Sequence, residues 1–221
     1  MDIKIQSKIQ KKKIQAQEIL KRLKKKYRRK REDFVEWKNP LELVMATVLS
    51  AQCTDKRVNV VTKKLFQKYK TAKDYANADL KILEQEIHSI GFYKNKAKYL
   101  NGIGQLLIKK FHNKVPQTYK ELLTFPGVAE KTANLVMAKV FKIYTGVAVD
   151  THVKRLAPRM GLTQHKNPNA IAKELEKLFS KKDWLSVNEF FILHGRAICK
   201  SKPRCSECFL NDICPTGLKK V

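Results

Sequence analysis

Lys131 is the residue of this chain whose setting most changes what its side chain could do. It follows a tight apolar turn, Phe125-Pro126-Gly127-Val128-Ala129. It also falls in the first turn of a helix predicted from Thr132, Ala133, Val136, Met137, Val140 and Phe141 at helical spacing. A helix N-terminus presents unpaired backbone N–H groups and the positive end of its dipole, which suits a phosphate. The same potential disfavours a protonated amine, so Lys131 is expected to titrate below an ordinary lysine and to be a candidate nucleophile. The turn before it is expected to bury little. Taken alone, these residues fit equally well an ordinary helix start with a solvated lysine.

The second constellation is Cys199-x5-Cys205-x2-Cys208-x5-Cys214. Four thiolates on one short loop can close around a single centre, and both zinc and an iron–sulfur cluster accept four cysteines. Structural zinc more often uses two separated CxxC pairs, whereas here one CxxC is flanked by single cysteines. On these residues alone both centres stay open. Lys200, Lys202 and Arg204 lie between the first two cysteines and would set a basic loop beside the metal. Disulfides are not expected. Met1 to Ile14 has no apolar stretch or small-residue cleavage site of the secretory kind, and reducing compartments keep thiols free. Cys53 reads as a packing residue on the edge of an apolar helix.

The chain has 221 residues, enough for one domain or two small lobes with a sizeable core. Its formal charge is +27, from 47 Lys and Arg against 20 Asp and Glu, the footprint of a partner that is a polyanion. Nucleic acid is the first candidate. A membrane-spanning role is excluded, since the best stretch, Leu43 to Leu49, is seven residues and includes Thr47. Residues 1–32 alone hold 14 Lys and Arg and three acids, so the N-terminus is a dense basic arm. Residues 1–14 are expected to be disordered, as either a solvated tail or a DNA tether.

What must position these groups reads as helix nearly throughout. Asn39-Pro40-Leu41-Glu42 is a helix start, with Asn as cap, Pro at the first position and Glu able to reach back. Asn167-Pro168 repeats the device. Further helices are expected over Gln15–Tyr27, from Asp55, over Leu80–Ile90, Asn95–Phe111, Tyr119–Leu123, Glu130–Phe141 and Thr151–Met160, and through Trp184 to His194. Pro158 should end or kink its helix early. The fold class expected is all-α, some ten short helices joined by brief loops. A division into two helical lobes with a DNA-binding cleft between them, residues 33–144 for one and 15–32 plus 145–221 for the other, is what the family resemblance given next implies.

With these residues in view, the chain resembles endonuclease III, a family of helix-hairpin-helix-Gly-Pro-Asp DNA glycosylases and abasic-site lyases. The resemblance spans roughly Gln15 to Pro215. It rests on Leu49-Ser50-Ala51-Gln52-Cys53-Thr54-Asp55, Ile90-Gly91-Phe92-Tyr93, Phe125 to Asn134, Val149-Asp150-Thr151-His152, Leu193-His194-Gly195-Arg196 and the four cysteines. It implies Lys131 as the amine that attacks the sugar C1′ and Asp150 as the carboxylate that stabilises developing positive charge. Asp150 would oppose the lowering of the Lys131 pKa. Gln52 matches the residue that enters the void left by an extruded base, and Phe92 an apolar wedge, where Leu is usual. Read from the residues alone, Gln52 is a polar helix-end residue and Phe92 a core aromatic. Gly127, Val128 and Ala129 match the hairpin that contacts DNA. His152 would orient Asp150, contact DNA or cap the helix. The resemblance also implies one 4Fe-4S cluster on Cys199, Cys205, Cys208 and Cys214.

Three departures from the family pattern stand out. Ala129 replaces the usual second Gly of the hairpin and Glu130 adds a negative charge, so a weaker phosphate grip is expected, with the arm compensating. The Cys199–Cys205 gap is one residue shorter, which requires a tighter loop. The stretch from Lys131 to Asp150 is one residue longer, which should lengthen the loop around Thr145-Gly146.

The function expected is a bifunctional DNA glycosylase and abasic-site lyase. It would remove oxidised pyrimidines from double-stranded DNA through a Lys Schiff base and nick the strand by β-elimination. The protein is expected to be a monomer in a bacterial or archaeal cytoplasm, with DNA carrying damaged pyrimidines or abasic sites as partner. A non-catalytic helix-hairpin-helix DNA-binding protein, or a glycosylase of the same superfamily with another base specificity, is the alternative.

Overall fold

Local capping chemistry sets most helix starts in the computed structural model, which describes residues 3–219. Asn39 accepts the Glu42 amide at the start of α2 (Pro40–Leu49), and the Glu42 carboxylate reaches back to the Lys38 N–H at 2.6 Å. Thr54 opens α3 (Asp55–Lys68) in the same way. Thr71 and Asp74 form a reciprocal capping box on α4 (Ala72–Ala76), a short helix that apolar spacing does not reveal. Asp79 starts α5 (Leu80–Glu86), which ends earlier than its apolar pattern suggested, and Thr118 starts α7 (Tyr119–Leu122). Between them α6 (Tyr93–Phe111) begins two residues before the expected point, after a left-handed Phe92. No strand occurs among the described residues.

The chain divides into two compact units, one of residues 30–143 and one formed by everything up to Arg29 together with Tyr144 onward. In the 30–143 unit the centre is α2, buried from Leu43 through Leu49, so it is apolar on all sides rather than amphipathic. Val58, Val61 and Leu65 of α3 and Leu100, Ile103 and Leu107 of α6 pack into the same core. Helix α4 lies against α6 at Gly104, where an added Cβ would come within 2.7 Å of the Ala72 carbonyl and the Ala76 nitrogen.

In the other unit the central helix is α11 (Trp184–Ala197), buried over most of its length. Against it lie α1 (Ile3–Lys26) and α9 (Thr151–Arg159), while α10 (Pro168–Leu178) packs on α1 and α9; each offers one apolar stripe. Residues 1–14 were expected to be disordered, but α1 begins at Ile3. The stretch from Ile3 to Ile14, made of Ile, Lys, Gln and Ser7, contains no Gly or Pro. It extends a helix already nucleated where Ala16, Ile19, Leu20 and Leu23 are buried. Gln15 ties this helix to the Met160 and Ile213 carbonyls.

Pro158 does not end α9 early. It sits in the last turn, where its missing N–H costs one bond near the helix end, and the chain leaves through Gly161 at φ +71°. No helix among the described residues is long and apolar enough to cross a membrane.

The α4–α6 contact leaves no room for a methyl group. Gly104→Ala should destabilise the 30–143 unit by about 1–3 kcal/mol, the usual cost of overpacking. A urea midpoint equal to that of the unmodified protein would show that the contact is looser than described.

Candidate functional site

The turn before Lys131 is closed by the Val128 N–H donating to the Phe125 carbonyl at 3.1 Å. Pro126 takes the second position and Gly127 the third at φ +76°, the signature of a type II turn. Gly127 is doubly required, because a Cβ there would also lie 2.5 Å from the Tyr99 ring. The expectation that this turn buries little is corrected. Phe125 is 2% exposed, edge-on to Phe111 at 5.6 Å, and Val128 is 8% exposed. These two anchor the hairpin in the core, so Val128 can meet a ligand only through its backbone.

Ala129 has φ −99° and ψ 174°, extended backbone that any residue adopts, so its Cβ brings no strain. It is the N-cap of α8 (Glu130–Val136) and offers no side-chain hydrogen bond. The first-turn amides of α8 are therefore left to an outside acceptor. Thr132, Ala133 and Val136 face the core, while Glu130 and Lys131 are exposed at the open end. Helix α8 continues as a π turn over Met137–Phe141. A π turn takes one more residue than an α turn, so the extra residue of this stretch can be absorbed within the helix rather than in the Thr145-Gly146 loop.

Gln52 and Phe92 lie in the same unit as Lys131, and both are exposed and left-handed. Gln52 has φ 54° in the turn after α2, closed by the Cys53 N–H on the Ser50 carbonyl. Phe92 has φ 58° and is 64% exposed, so the reading of it as a core aromatic fails. The two turns touch: a Cβ on Gly91 would lie 3.8 Å from the Gln52 carbonyl oxygen. Cys53 packs partly buried against the core.

Asp150 belongs to the other unit and is the N-cap of α9. Its Oδ1 accepts the His152 and Val153 amides at 3.0 and 2.8 Å, and its Oδ2 pairs with His152 Nδ1 at 2.9 Å. The carboxylate is 11% exposed and the imidazole 21%. His152 in turn lies over Gly195 of α11, where a Cβ would come within 2.7 Å of its ring. His152 therefore contacts Asp150 directly, as the first of its three expected roles requires.

Cys199, Cys205, Cys208 and Cys214 are all half-buried and line one pocket. Arg159 Nη1 approaches Cys199 Sγ at 3.6 Å, and His194 Nε2 approaches Cys208 Sγ at 3.7 Å. Tyr27 hydrogen-bonds His194 Nδ1 at 3.0 Å. Burial lowers the His194 pKa to about 4, so the ring is neutral near neutral pH. Burial and, after it, the charges of Cys208 and Cys199 raise Tyr27 to about 12. If Tyr27 donates to Nδ1, the tautomer left to His194 points Nε2–H at the Cys208 sulfur. The loop is braced by α1, where Arg22 holds Asp212 at 2.7 and 2.8 Å.

Several contacts of this setting escaped the sequence reading. Arg159 and Tyr27 were given no role there and His194 only a place in a motif, because all three act through contacts distant in sequence, which periodicity does not encode. Lys96 left a trace: it stands on the apolar face of α6 with Ala97, Leu100 and Ile103, an unusual place for a lysine.

The description "HhH-GPD superfamily base excision DNA repair protein" fits residues 45–181. Endonuclease III of Synechocystis sp. is 48% identical over 184 residues, 83% of this chain and 84% of its own length. That of Bacillus subtilis is 44% identical over 184 residues, 82% and 84% of the two chains. The fold matches a trapped endonuclease III–DNA covalent intermediate with a TM-score of 0.86 at 39% identity, covering 94% of this chain and 98% of the other. A non-covalent endonuclease III–DNA complex matches with the same TM-score. With its hairpin, left-handed turns and capped aspartate, this chain belongs to the HhH-GPD superfamily of base excision DNA repair proteins and, within it, to the endonuclease III family.

Proposed function

We propose that the chain is a bifunctional DNA glycosylase and abasic-site lyase of base excision repair that acts on oxidised pyrimidines in duplex DNA. The observation that carries this reading is Lys131, exposed in the first turn of a helix whose N-terminus has no side-chain cap. The similarity to a trapped protein–DNA covalent intermediate supports it. The open amides of α8 and the Gly127 turn would take a DNA phosphate, leaving the Lys131 amine beside the sugar.

In this mechanism neutral Lys131 Nζ attacks C1′, and the base leaves with the electron pair of the glycosidic bond. Asp150, fixed by two backbone N–H groups and His152, stabilises the positive charge that develops at the sugar. Proton loss from nitrogen and ring opening give a Schiff base between Nζ and C1′. Loss of a C2′ proton then expels the 3′ phosphate and nicks the strand, and water at C1′ releases Lys131. Gln52 and Phe92, exposed on adjacent turns, would fill and prop the stack from which the base has gone.

The four cysteines line one pocket and would hold the 4Fe-4S cluster that membership of the endonuclease III family implies. A cubane brings its own volume and holds its cysteines farther apart than one zinc ion does. When bound, such a cluster would supply four metal–thiolate links that fix the loop, with Lys200, Lys202 and Arg204 beside it. Arg159 and His194 would donate toward its sulfurs.

Borohydride should trap the unmodified protein on duplex DNA carrying an oxidised pyrimidine. Lys131→Ala should abolish trapping while still binding the duplex, and trapping that survives the substitution would remove Lys131 from the mechanism. Protein purified without oxygen should contain about four irons per chain. Stoichiometric zinc instead would overturn the cluster and leave the glycosylase reading intact. Deleting residues 1–14, with Lys4, Lys8, Lys11, Lys12 and Lys13, should weaken binding to damaged and undamaged duplex alike. The log–log salt slope should flatten by roughly 2–4, at about 0.9 per full phosphate contact. Equal slopes for the two proteins would make this part of α1 a bystander.

A further inference from the structure

Lys96 is a charged residue that the proposed mechanism does not use, and it is 4% exposed. Its ammonium donates to the Leu49 carbonyl at 2.9 Å and to the Ala51 carbonyl at 2.6 Å. These are carbonyls at the C-terminal end of α2, where the dipole is negative and the last carbonyls lack helical partners. They also lead directly into Gln52, whose left-handed backbone is costly for a residue with a side chain. The backbone of Lys96 serves the second exposed turn: its N–H closes the first turn of α6 on the Phe92 carbonyl at 3.1 Å. One residue thus holds both left-handed positions, with its main chain on Phe92 and its side chain across the Gln52 turn.

A buried lysine is an expensive way to satisfy two carbonyls, because burial disfavours its charge and lowers its pKa. An apolar residue at this place would pack with Ala97, Leu100 and Ile103 at no such cost, but it would free the turn to relax. Strain held at an exposed polar residue by a buried clamp belongs to positions that must keep one geometry when a ligand arrives.

We propose that Lys96 is a positioning residue for DNA strand opening, pinning the Gln52 turn to the Phe92 turn so that both side chains enter the base stack as one rigid unit. This rests on the roles given above to Gln52 and Phe92. It assigns Lys96 no contact with DNA. Losing a hydrogen-bonded charge that orders a loop should slow the step that depends on the loop by about 10- to 100-fold.

The test compares Lys96→Met, Gln52→Ala and the double variant in the full chain. Three measurements are needed: base removal from duplex at saturating enzyme, fluorescence of 2-aminopurine beside the lesion as a report of stack opening, and borohydride trapping on DNA with a preformed abasic site. Lys96→Met should lose base removal and the fluorescence rise together. Trapping on the abasic site, where no base has to leave the stack, should change little. Lys96→Arg should recover part of the loss, and the double variant should lose less than the sum of the two single variants, as coupled residues require.

Additive losses, or normal fluorescence with Lys96→Met while Gln52→Ala is defective, would overturn the clamp and leave Gln52 in its role. Equal loss of all three activities in step with a lowered unfolding midpoint would reduce Lys96 to a merely structural residue. If Gln52→Ala behaves as the unmodified protein, the stack-filling reading itself is wrong, and the proposal for Lys96 falls with it. Should Lys96→Met fail to fold, Lys96→Gln carries the same comparison with the same outcomes.

Discussion

Every helix end leaves backbone N–H or C=O groups without an intrahelical partner, and the functional geometry of this protein is built on how those groups are satisfied. Gln52 lies in the turn beyond the C-terminus of α2, Phe92 at the N-cap of α6, and Lys131 in the first turn of α8. Asp150 is the N-cap of α9, and Cys214 that of α12 (Pro215–Leu218). The solutions differ by site. Asp150 accepts the orphan amides of its own helix, the α2 carbonyls are taken by the buried Lys96 ammonium, and the amides of α8 are left uncapped. A closed end fixes a side chain, whereas an open end is where an anion can complete the structure.

The same logic explains where backbone strain is allowed. Gln52, Phe92 and Gly127 are all left-handed, and the first two keep side chains at an energetic cost that glycine avoids. Each stands close in sequence to residues of the core: Val48 and Leu49 before Gln52, Ala97 after Phe92, and Phe125 and Val128 on either side of Gly127 are all buried. Tyr99 adds a steric stop, since its ring occupies the space a Cβ on Gly127 would need. A core that cannot deform holds exposed loops in conformations they would not keep alone.

In the unit formed by the two chain ends, the cysteine loop has few helical contacts of its own and depends on borrowed ones. Arg22 of α1 holds Asp212, Gln15 holds the Ile213 carbonyl, and Arg159 of α9 reaches the Lys200 and Ser201 carbonyls. His194 extends from α11 toward Cys208 with Tyr27 behind it. The N-terminal helix is therefore structural in its second half, while its first half is a basic extension of the same rod.

The sequence by itself determined whatever depends on neighbours a few residues away. Apolar spacing and the caps at Asn39, Thr54, Asp79 and Asn167 specify the all-α class and most helix starts, because both are local in the chain. The Pro-Gly turn before Lys131 and the cysteine spacing were equally legible, and with the motifs around Gln52, Phe92, Asp150 and His194 they carried the family. Tertiary structure decided the rest. Burial of Phe125 and Val128 in a turn that looked unable to bury much requires Phe111 and the core around it. That Ala129 carries its Cβ without backbone strain depends on a φ that residue type does not dictate. Growth of α1 to Ile3 and the survival of α9 through Pro158 depend on where each helix is anchored and where its last bonds fall. The clamp of Lys96 on residues 49 and 51, and the seat of His152 on Gly195, join segments more than 40 residues apart. Such contacts form only once the helices pack, and no local pattern encodes them.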